Sequence, residues 1–115
     1  MSVIFTAIFT IFFYLVAAHA LLDFPLQGEQ TAINKNPNSN TELQKSVPWY
    51  YWMGSHAILH GAAVTIITNS LVCGLGEVLA HFVIDLNKCN GRYSIHVDQF
   101  LHILCKMFWI FYLIY

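Results

Sequence analysis

Residues 3–24 read VIFTAIFTIFFYLVAAHALLDF, an apolar run long enough to cross a lipid bilayer as one helix. Two threonines and the pair His19 and Asp23 are its only polar interruptions. Pro25 follows the run, and proline disfavours helix in the residue before it, so the helix should end there. Ionisable side chains inside a membrane helix are costly and usually face the interior of a bundle. The stretch therefore predicts a first transmembrane helix with a functional pair near its end.

The same stretch could instead be a cleaved signal peptide, because Ala18-His19-Ala20 resembles a small-x-small cleavage site. No Lys or Arg precedes Lys35, however, so the basic region that begins a signal peptide is missing. We therefore expect residues 3–24 to be a retained helix.

Three more hydrophobic segments predict helices, and they cover about residues 48–68, 72–86 and 97–115. A polar, asparagine-rich loop over 28–46 separates the first two helices. Ser46 is a candidate N-cap, and Pro48 suits the first turn of the second helix. Short connections between the later helices make them antiparallel neighbours. The sequence thus predicts a single domain over 1–115, an all-α integral membrane four-helix bundle with up-down-up-down topology.

The composition supports this class of protein. The 115 residues are 57% hydrophobic and 10% charged, which is too apolar for a soluble domain of this length. The formal net charge of −1 gives no electrostatic basis for binding nucleic acid. Cys73, Cys89 and Cys105 form no CxxC motif, so we interpret them as buried, inert thiols.

Each predicted helix carries one pair of metal-capable side chains four residues apart. In chain order these pairs are His19 and Asp23, His56 and His60, His81 and Asp85, and Asp98 and His102. Residues at this spacing share one helix face. The pairs lie near the C-terminal ends of the first and third helices and near the N-terminal ends of the second and fourth. In an antiparallel bundle all eight side chains should converge at one level, just inside one membrane face.

Imidazole and carboxylate groups suit zinc, manganese or iron rather than the soft copper(I) ion. Eight donors suffice for one or two divalent ions, with zinc favoured, or for one ion whose histidines are oriented by outer carboxylates. Inward carboxylates and histidines at helical spacing build dimetal sites in other bundles. Alternatively, each pair could only form hydrogen bonds across the bundle, or the residues could line a proton or ion pathway.

Four further residues are candidates for secondary roles. Glu77 lies one turn before the third pair and Lys106 one turn after the fourth, so we expect them to reach the same depth and pair. Their pair could be purely structural or could help set the charge of a metal cluster. Gln27 extends the stripe of the first helix and could contact substrate or water. Lys35 could meet a phosphate if the polar loop acts as a lid.

At these residues the chain resembles a membrane family of bacteria and phages, domain of unknown function 3307. The likeness covers nearly the whole chain and rests on four segments in order, namely HALLDFPLQ with the downstream Asn34-Lys35, HAILH, HFVID and DQFLH. The pattern is also similar to that of small membrane-bound metal-dependent hydrolases, whose helices carry comparable His and Asp residues. That second likeness implies a hydrolytic activity, by analogy of motif alone.

The basic residues indicate an orientation. The loops on the motif side contain Lys35, Lys45, Lys88 and Arg92, whereas the opposite side has no Lys or Arg. The positive-inside rule then places the site near the cytoplasmic face of a bacterial inner membrane. Both termini should be extracytoplasmic.

These features favour a metal-dependent hydrolase that acts on a lipid or lipid-linked substrate through its phosphate or acyl group. A bound metal would activate water and polarise the attacked oxygen. Five histidines would be the main ligands, and Asp23, Asp85 and Asp98 would bridge, ligate or act as catalytic base.

Other classes remain open in the sequence. The protein could be a non-enzymatic, metal-stabilised factor that a phage uses to bind a host membrane protein, or a metal transporter or sensor. A membrane di-iron oxygenase is a further alternative, although those enzymes usually have more than five histidines. Aspartates beside the histidines disfavour bis-histidine haem ligation. Four short helices bury little surface against one another, so the sequence leaves open a homodimer.

Overall fold

The computed structural model describes residues 2–115, and within them the chain forms helices and no strand. The elements are α1 (Val3–Asp23), α2 (Glu29–Asn34), α3 (Glu42–Ser46), α4 (Trp49–Thr68), α5 (Leu71–Cys89) and α6 (Ile95–Ile114). The prediction of an all-α fold is therefore confirmed. The four long helices cover approximately the predicted spans, although α5 continues to Cys89 instead of ending at residue 86 and α6 begins at Ile95 instead of residue 97.

The prediction of a loop over 28–46 is wrong in part, because α2 and α3 lie within it. Helix α3 begins with a capping box. The Thr41 hydroxyl accepts a hydrogen bond from the Gln44 N–H (3.2 Å), and the Gln44 side chain accepts one from the Thr41 N–H (2.9 Å). A polar composition thus does not exclude helix when the first turn is capped from both sides.

The start of α4 also differs from the prediction. Ser46 is the last residue of α3 rather than the N-cap of α4, and Pro48 occupies the N-cap position. The ring of Pro48 disfavours helical geometry at Val47, which is extended with φ −125° and ψ 97°. The chain therefore turns at Val47 before α4 begins.

A tight connection sets the direction of α5 against α4. Asn69 ends α4 in the left-handed conformation with φ 52°, and the Ser70 hydroxyl accepts from the Cys73 N–H (3.2 Å) at the start of α5. Two residues leave room only for a hairpin of antiparallel helices.

The four long helices contact one another in a ring, α1 with α4 and α6, and α5 with α4 and α6. The closest approach is between α4 and α5. A Cβ at Gly61 would collide with the Val78 side chain and the Gly74 carbonyl oxygen, and a Cβ at Gly74 would collide with Thr65 and the Gly61 carbonyl oxygen. Only glycine lets the two backbones approach so closely.

The bundle is polar inside and apolar outside. Among the described residues, twelve polar or charged side chains are buried, compared with six hydrophobic ones. Large apolar residues such as Phe13, Ile66 and Leu79 are at least two-thirds exposed. Of the four helices predicted to span a bilayer, α1 and α6 have the length and apolar character of membrane spans.

Candidate metal centre

The structure brings all eight predicted His and Asp side chains together inside the bundle, and none of them is more than 7% exposed. Each long helix contributes two: His19 and Asp23 from α1, His56 and His60 from α4, His81 and Asp85 from α5, and Asp98 and His102 from α6. They meet because the C-terminal ends of α1 and α5 lie beside the N-terminal ends of α4 and α6. The four-residue spacing then points each pair inward.

The carboxylate of Asp23 lies at the centre of the cluster. Its Oδ1 is 2.9 Å from Nε2 of His60, 3.1 Å from Nε2 of His56 and 3.3 Å from Nε2 of His81. Its Oδ2 is 3.4 Å from Nε2 of His19. One carboxylate oxygen has about two lone-pair sites for hydrogen bonds, so it cannot accept well from three imidazoles at once.

Asp85 is a second carboxylate surrounded by imidazoles, and we call Asp23 and Asp85 the two carboxylate hubs. Oδ1 of Asp85 lies 3.0 Å from Nε2 of His102. Its Oδ2 lies 3.4 Å from Nε2 of His56, 3.5 Å from Nε2 of His81 and 2.7 Å from Nζ of Lys35. Both hubs therefore combine carboxylate oxygens with several imidazole nitrogens, the donor set that zinc, manganese and iron accept.

Two groups of four residues have ligand atoms that all lie within 4.8 Å of one another. The first group is His19, Asp23, His60 and His81, and the second is Asp23, His81, Asp85 and His102. Either group could hold a metal ion. Because Asp23 and His81 belong to both, two loci would be adjacent and share ligands.

Several buried nitrogen and oxygen atoms of the cluster lack hydrogen-bond partners. These atoms are His19 Nδ1, His60 Nε2, His81 Nδ1 and Nε2, His102 Nδ1 and Asp98 Oδ1. Nε2 of His60 is close to Oδ1 of Asp23 but is not aimed at it as a hydrogen-bond donor. Leaving buried polar atoms unpaired is costly, and a cation bound at Asp23 would pair with Nε2 of His60 and Nε2 of His81, which lie 2.9 Å and 3.3 Å from Oδ1 of Asp23.

Three of the imidazole rings stack as a column. The His81 ring lies 3.6 Å from the ring of His60 and 4.2 Å from the ring of His102, measured between centroids. Protonated neighbours at these distances would repel one another. Two adjacent rings of the column therefore cannot both be protonated without repulsion, and a neutral ring is the form whose free lone pair binds metal.

The buried carboxylates of the bundle outnumber its buried ammonium groups. The buried charged groups are four carboxylates and two ammonium groups, namely Asp23, Asp85, Asp98, Glu77, Lys35 and Lys106. With neutral imidazoles they sum to a charge of −2 in an apolar surrounding. Uncompensated buried charge is strongly unfavourable. One divalent cation, or two protonated imidazoles, would restore neutrality.

Gln99 belongs to the site but was missed by the sequence argument. Its Oε1 lies 2.8 Å from Nε2 of His19, and its Nε2 donates to Oδ2 of Asp23 (2.8 Å) and of Asp98 (3.1 Å). The residue follows Asp98 directly and lies off the four-residue spacing, so periodicity could not select it. Its amide orients two carboxylates at once.

Lys35 and Gln27 close the site from the side of α2. Nζ of Lys35 donates to Oδ2 of Asp85 (2.7 Å) and to Oε1 of Gln27 (2.6 Å), and Gln27 donates to the Asp23 carbonyl oxygen (3.2 Å). Lys35 is only 8% exposed. This lysine is therefore an integral part of the buried network, and the segment that carries it packs against the site.

Glu77 and Lys106 form the predicted pair one turn deeper, at 2.5 Å. Trp109, which the sequence argument missed, donates through Nε1 to Oε2 of Glu77 (2.7 Å). Oε1 of Glu77 lies 3.4 Å from Nδ1 of His81. The pair therefore contacts the cluster from deeper in the bundle, through the imidazole of His81, which belongs to both candidate ligand groups.

The connections at the site end are also tied together. Asn38 donates to the Cys89 carbonyl oxygen (3.2 Å) and to Oδ1 of Asn90 (2.9 Å). The Tyr93 hydroxyl donates to the Ile84 carbonyl oxygen (2.6 Å), and partial burial raises the pKa of Tyr93. The phenol therefore stays protonated as a donor, and both loops are held over the cluster.

Fold and site together define a small all-helical protein with a buried His and Asp cluster that could hold a metal ion. Comparison with known families adds a relationship. A family model described as a protein of unknown function (DUF3307) matches residues 11–115, and the chain belongs to that family. No curated protein and no solved structure matches the chain.

Proposed function

We propose that this protein is embedded in the bacterial inner membrane, binds a divalent metal ion in its buried cluster, and hydrolyses a lipid or lipid-linked substrate near the cytoplasmic face. The observation that carries the proposal is the crowding of three imidazole nitrogens within 3.3 Å of a single Asp23 oxygen. Hydrogen bonding alone cannot satisfy that arrangement.

Membrane embedding is supported by the distribution of polarity. A soluble bundle of this size would bury its large apolar side chains, whereas here the outer faces of the long helices are apolar and the interior is polar. We propose that α4 and α5 cross the bilayer together with α1 and α6, since the hairpin between α4 and α5 leaves both at the same depth.

The charge of the cluster favours one divalent ion for each chain. A deficit of two charges is removed by one such ion without any protonated imidazole. His81 and Asp23 are the ligands common to both groups and would be engaged at either locus. Zinc is the preferred identity because a mixture of imidazole and carboxylate donors suits it well.

The three aspartates have different surroundings, which assigns them different roles. Asp23 and Asp85 are each surrounded by at least three imidazoles and would serve as ligands. Asp98 has a single imidazole neighbour, His102 at 3.5 Å, and its buried Oδ1 accepts no hydrogen bond. Like the other two aspartates, it lines a polar cavity of about 130 Å³ next to the cluster. We assign it as the base that accepts a proton from the attacking water.

Hydrolysis at this site would proceed by addition of a water oxygen to a phosphoryl or acyl centre. The ester bond then breaks, and the leaving oxygen takes up the proton that Asp98 accepted. A bound divalent ion supplies an activated water and stabilises negative charge on the attacked group. Gln99 holds the Asp98 carboxylate in place through its amide.

Metal analysis of the purified protein tests this proposal. We expect about one equivalent of zinc, manganese or iron in the detergent-purified wild type, in line with the charge deficit of the cluster. His60→Ala and His81→Ala should each lower that content, whereas His96→Ala should not, because His96 is exposed and lies outside the cluster. Circular dichroism would confirm that each variant remains folded.

A wild type that contains no metal, and takes up none of the three ions when they are added, would overturn the metal centre and the enzyme with it. Metal in the wild type without any turnover of lipid phosphates or acyl esters would instead support the alternative of a metal-stabilised, non-enzymatic membrane protein.

A further inference from the structure

An apolar cavity opens next to the metal centre, between α1, α2 and α4. It has a volume of about 320 Å³ and is walled mainly by Leu22, Leu26, Tyr51, Trp52 and Leu59. This volume lies near the lower end of the range for ligand pockets, about 300–1,000 Å³, and suits one hydrocarbon chain better than two. His56, which contacts both carboxylate hubs, lies at its wall.

The polar cavity described above reaches the same centre from the side of α5 and α6. Its walls include Asp23, Asp85 and Asp98 together with the cations Lys35 and Lys88. Lys88 has no carboxylate within ion-pairing distance among residues 2–115. An unpaired ammonium group beside a buried cluster is a ready partner for an anion.

The two cavities share one residue, Gln27, which lines both of them. A ligand could therefore place an apolar part in one cavity and a polar part in the other, with its linking bond beside Gln27 and His56. With a divalent ion bound, that ion and two lysines carry a charge of +4 against −3 from the three aspartates of the polar cavity. The surplus favours an anionic head group.

We propose that the ligand of this site is a membrane lipid with a phosphate head group, whose phosphate occupies the polar cavity and one of whose chains occupies the apolar cavity. This inference rests on the proposed metal centre, since the metal supplies part of the positive charge. It narrows the substrate from phosphate or acyl lipids in general to phosphate lipids, with Lys88 and Lys35 as head-group contacts.

Binding of a bromododecyl phosphonate, which keeps the anionic head group but has no ester bond to hydrolyse, tests the inference, because bromine quenches tryptophan and Trp52 lines the apolar cavity. The metal-loaded protein would be titrated in nanodiscs of neutral lipid. We expect saturable quenching in the wild type that is largely lost in Trp52→Phe. Lys88→Gln should weaken the binding roughly tenfold, the loss expected for one charged hydrogen bond.

Matched variants control for general effects on the surface. Lys45→Gln removes an exposed lysine that lines neither of the two cavities and should bind like the wild type. Leu22→Trp should fill the apolar cavity and abolish saturable quenching, whereas Leu79→Trp on the outer surface of α5 should leave a saturable component. Lys88→Gln is the main test of the head-group contact. Lys35→Gln is less direct, because Lys35 forms an ion pair with Asp85 and its loss could unfold the site.

Three results would overturn the inference. They are equal quenching by a bromododecyl maltoside, complete competition by inorganic phosphate at the same concentration, and unchanged affinity in Lys88→Gln. The first would mean that only the chain is recognised, and the second that only free phosphate is. Metal content measured on the same samples separates the two proposals, because a metal-loaded protein without selective binding overturns only the lipid phosphate.

Discussion

At the scale of single residues, three aspartates that each lie four residues from a histidine have different surroundings. Asp23 and Asp85 are surrounded by imidazoles, whereas Asp98 lies near only one, that of His102 at 3.5 Å, and its buried Oδ1 accepts no hydrogen bond. The difference arises from position along the helix, since Asp98 lies in the first turn of α6 and only His102, one turn further along the same helix, comes near it. A carboxylate that is not fully engaged as a ligand is the one free to exchange a proton with water.

We predict that Asp98→Asn separates metal binding from catalysis. The amide is nearly isosteric but cannot accept the proton, so turnover of a long-chain alkyl phosphate should fall roughly 10²- to 10⁴-fold. Metal content should stay near the wild-type value. Asp23→Asn should lose both, because Asp23 belongs to both ligand groups. Parallel measurement of phosphate release and bound metal checks the prediction, and a wild-type rate in Asp98→Asn would remove Asp98 as the base.

The sequence predicted the eight cluster residues because helical periodicity and antiparallel topology are both readable from spacing. Gln99 and Trp109 escaped because each reaches the site from a position that the four-residue spacing does not mark. A neutral amide or indole in an apolar helix also carries no signal of cost, unlike a charge. Lys35 was selected for its charge, but its partner Asp85 is fifty residues away and depends on how α2 packs.

At the scale of elements, the fit of α4 against α5 determines how closely four of the eight cluster residues approach the others. These helices contribute His56, His60, His81 and Asp85. The glycines that allow the approach are Gly61, which directly follows His60, and Gly74, which lies two turns before His81. Small residues of this kind let helix backbones make direct contact in membranes.

We predict that Gly74→Ala destabilises the protein by about 1–3 kcal/mol, the usual cost of forcing a methyl group into a packed interface. Its Cβ would meet the Gly61 carbonyl oxygen on the facing backbone, which cannot rotate away as a side chain could. Gly54→Ala is the matched control in α4, since a Cβ there meets nothing within 4 Å. It should stabilise by about 0.5–1 kcal/mol through helix propensity.

Thermal unfolding followed by circular dichroism in detergent would compare the two variants. A midpoint for Gly74→Ala at or above that of Gly54→Ala would show that the helix contact tolerates a methyl group. Bound metal should fall in Gly74→Ala as α5 moves away from α4, because His81 and Asp85 would move with it.

Helices α2 and α3, within the polar segment 28–46, could not be predicted from the pattern of apolar residues. Residues 28–46 lack the apolar periodicity that identifies a helix facing a core, so a loop was the natural expectation. Asn34 stabilises the segment instead, since it receives a hydrogen bond from the Thr41 hydroxyl and donates to the Gln30 carbonyl oxygen (2.8 Å). The capping box at Thr41 and Gln44 was readable in the sequence and could have identified α3.

At the scale of the whole molecule, the burial pattern sets the environment in which the chemistry operates. Apolar outer faces and a charged interior place the cluster in a low-dielectric surrounding, where electrostatic interactions are strong. The cluster also lies at the end of the bundle that carries the lysines of the α2, α3 and α5 connections. In the proposed membrane-spanning arrangement, the site and the basic loops therefore face the same side of the membrane.

We predict that this side is the cytoplasm, because basic loops are retained there. Alkaline phosphatase fused after Tyr115 should be active and green fluorescent protein at the same position should be dark, since the first folds productively only outside the cytoplasm and the second only inside. Insertion of each reporter after Gly91, in the connection between α5 and α6, should give the opposite pair of results. Fluorescence at Tyr115 together with phosphatase activity at Gly91 would place the centre on the outer side. The lipid phosphate would then have to come from the outer leaflet. The positive-inside rule would no longer explain why lysines lie at the polar cavity, and ligand binding would be the remaining explanation.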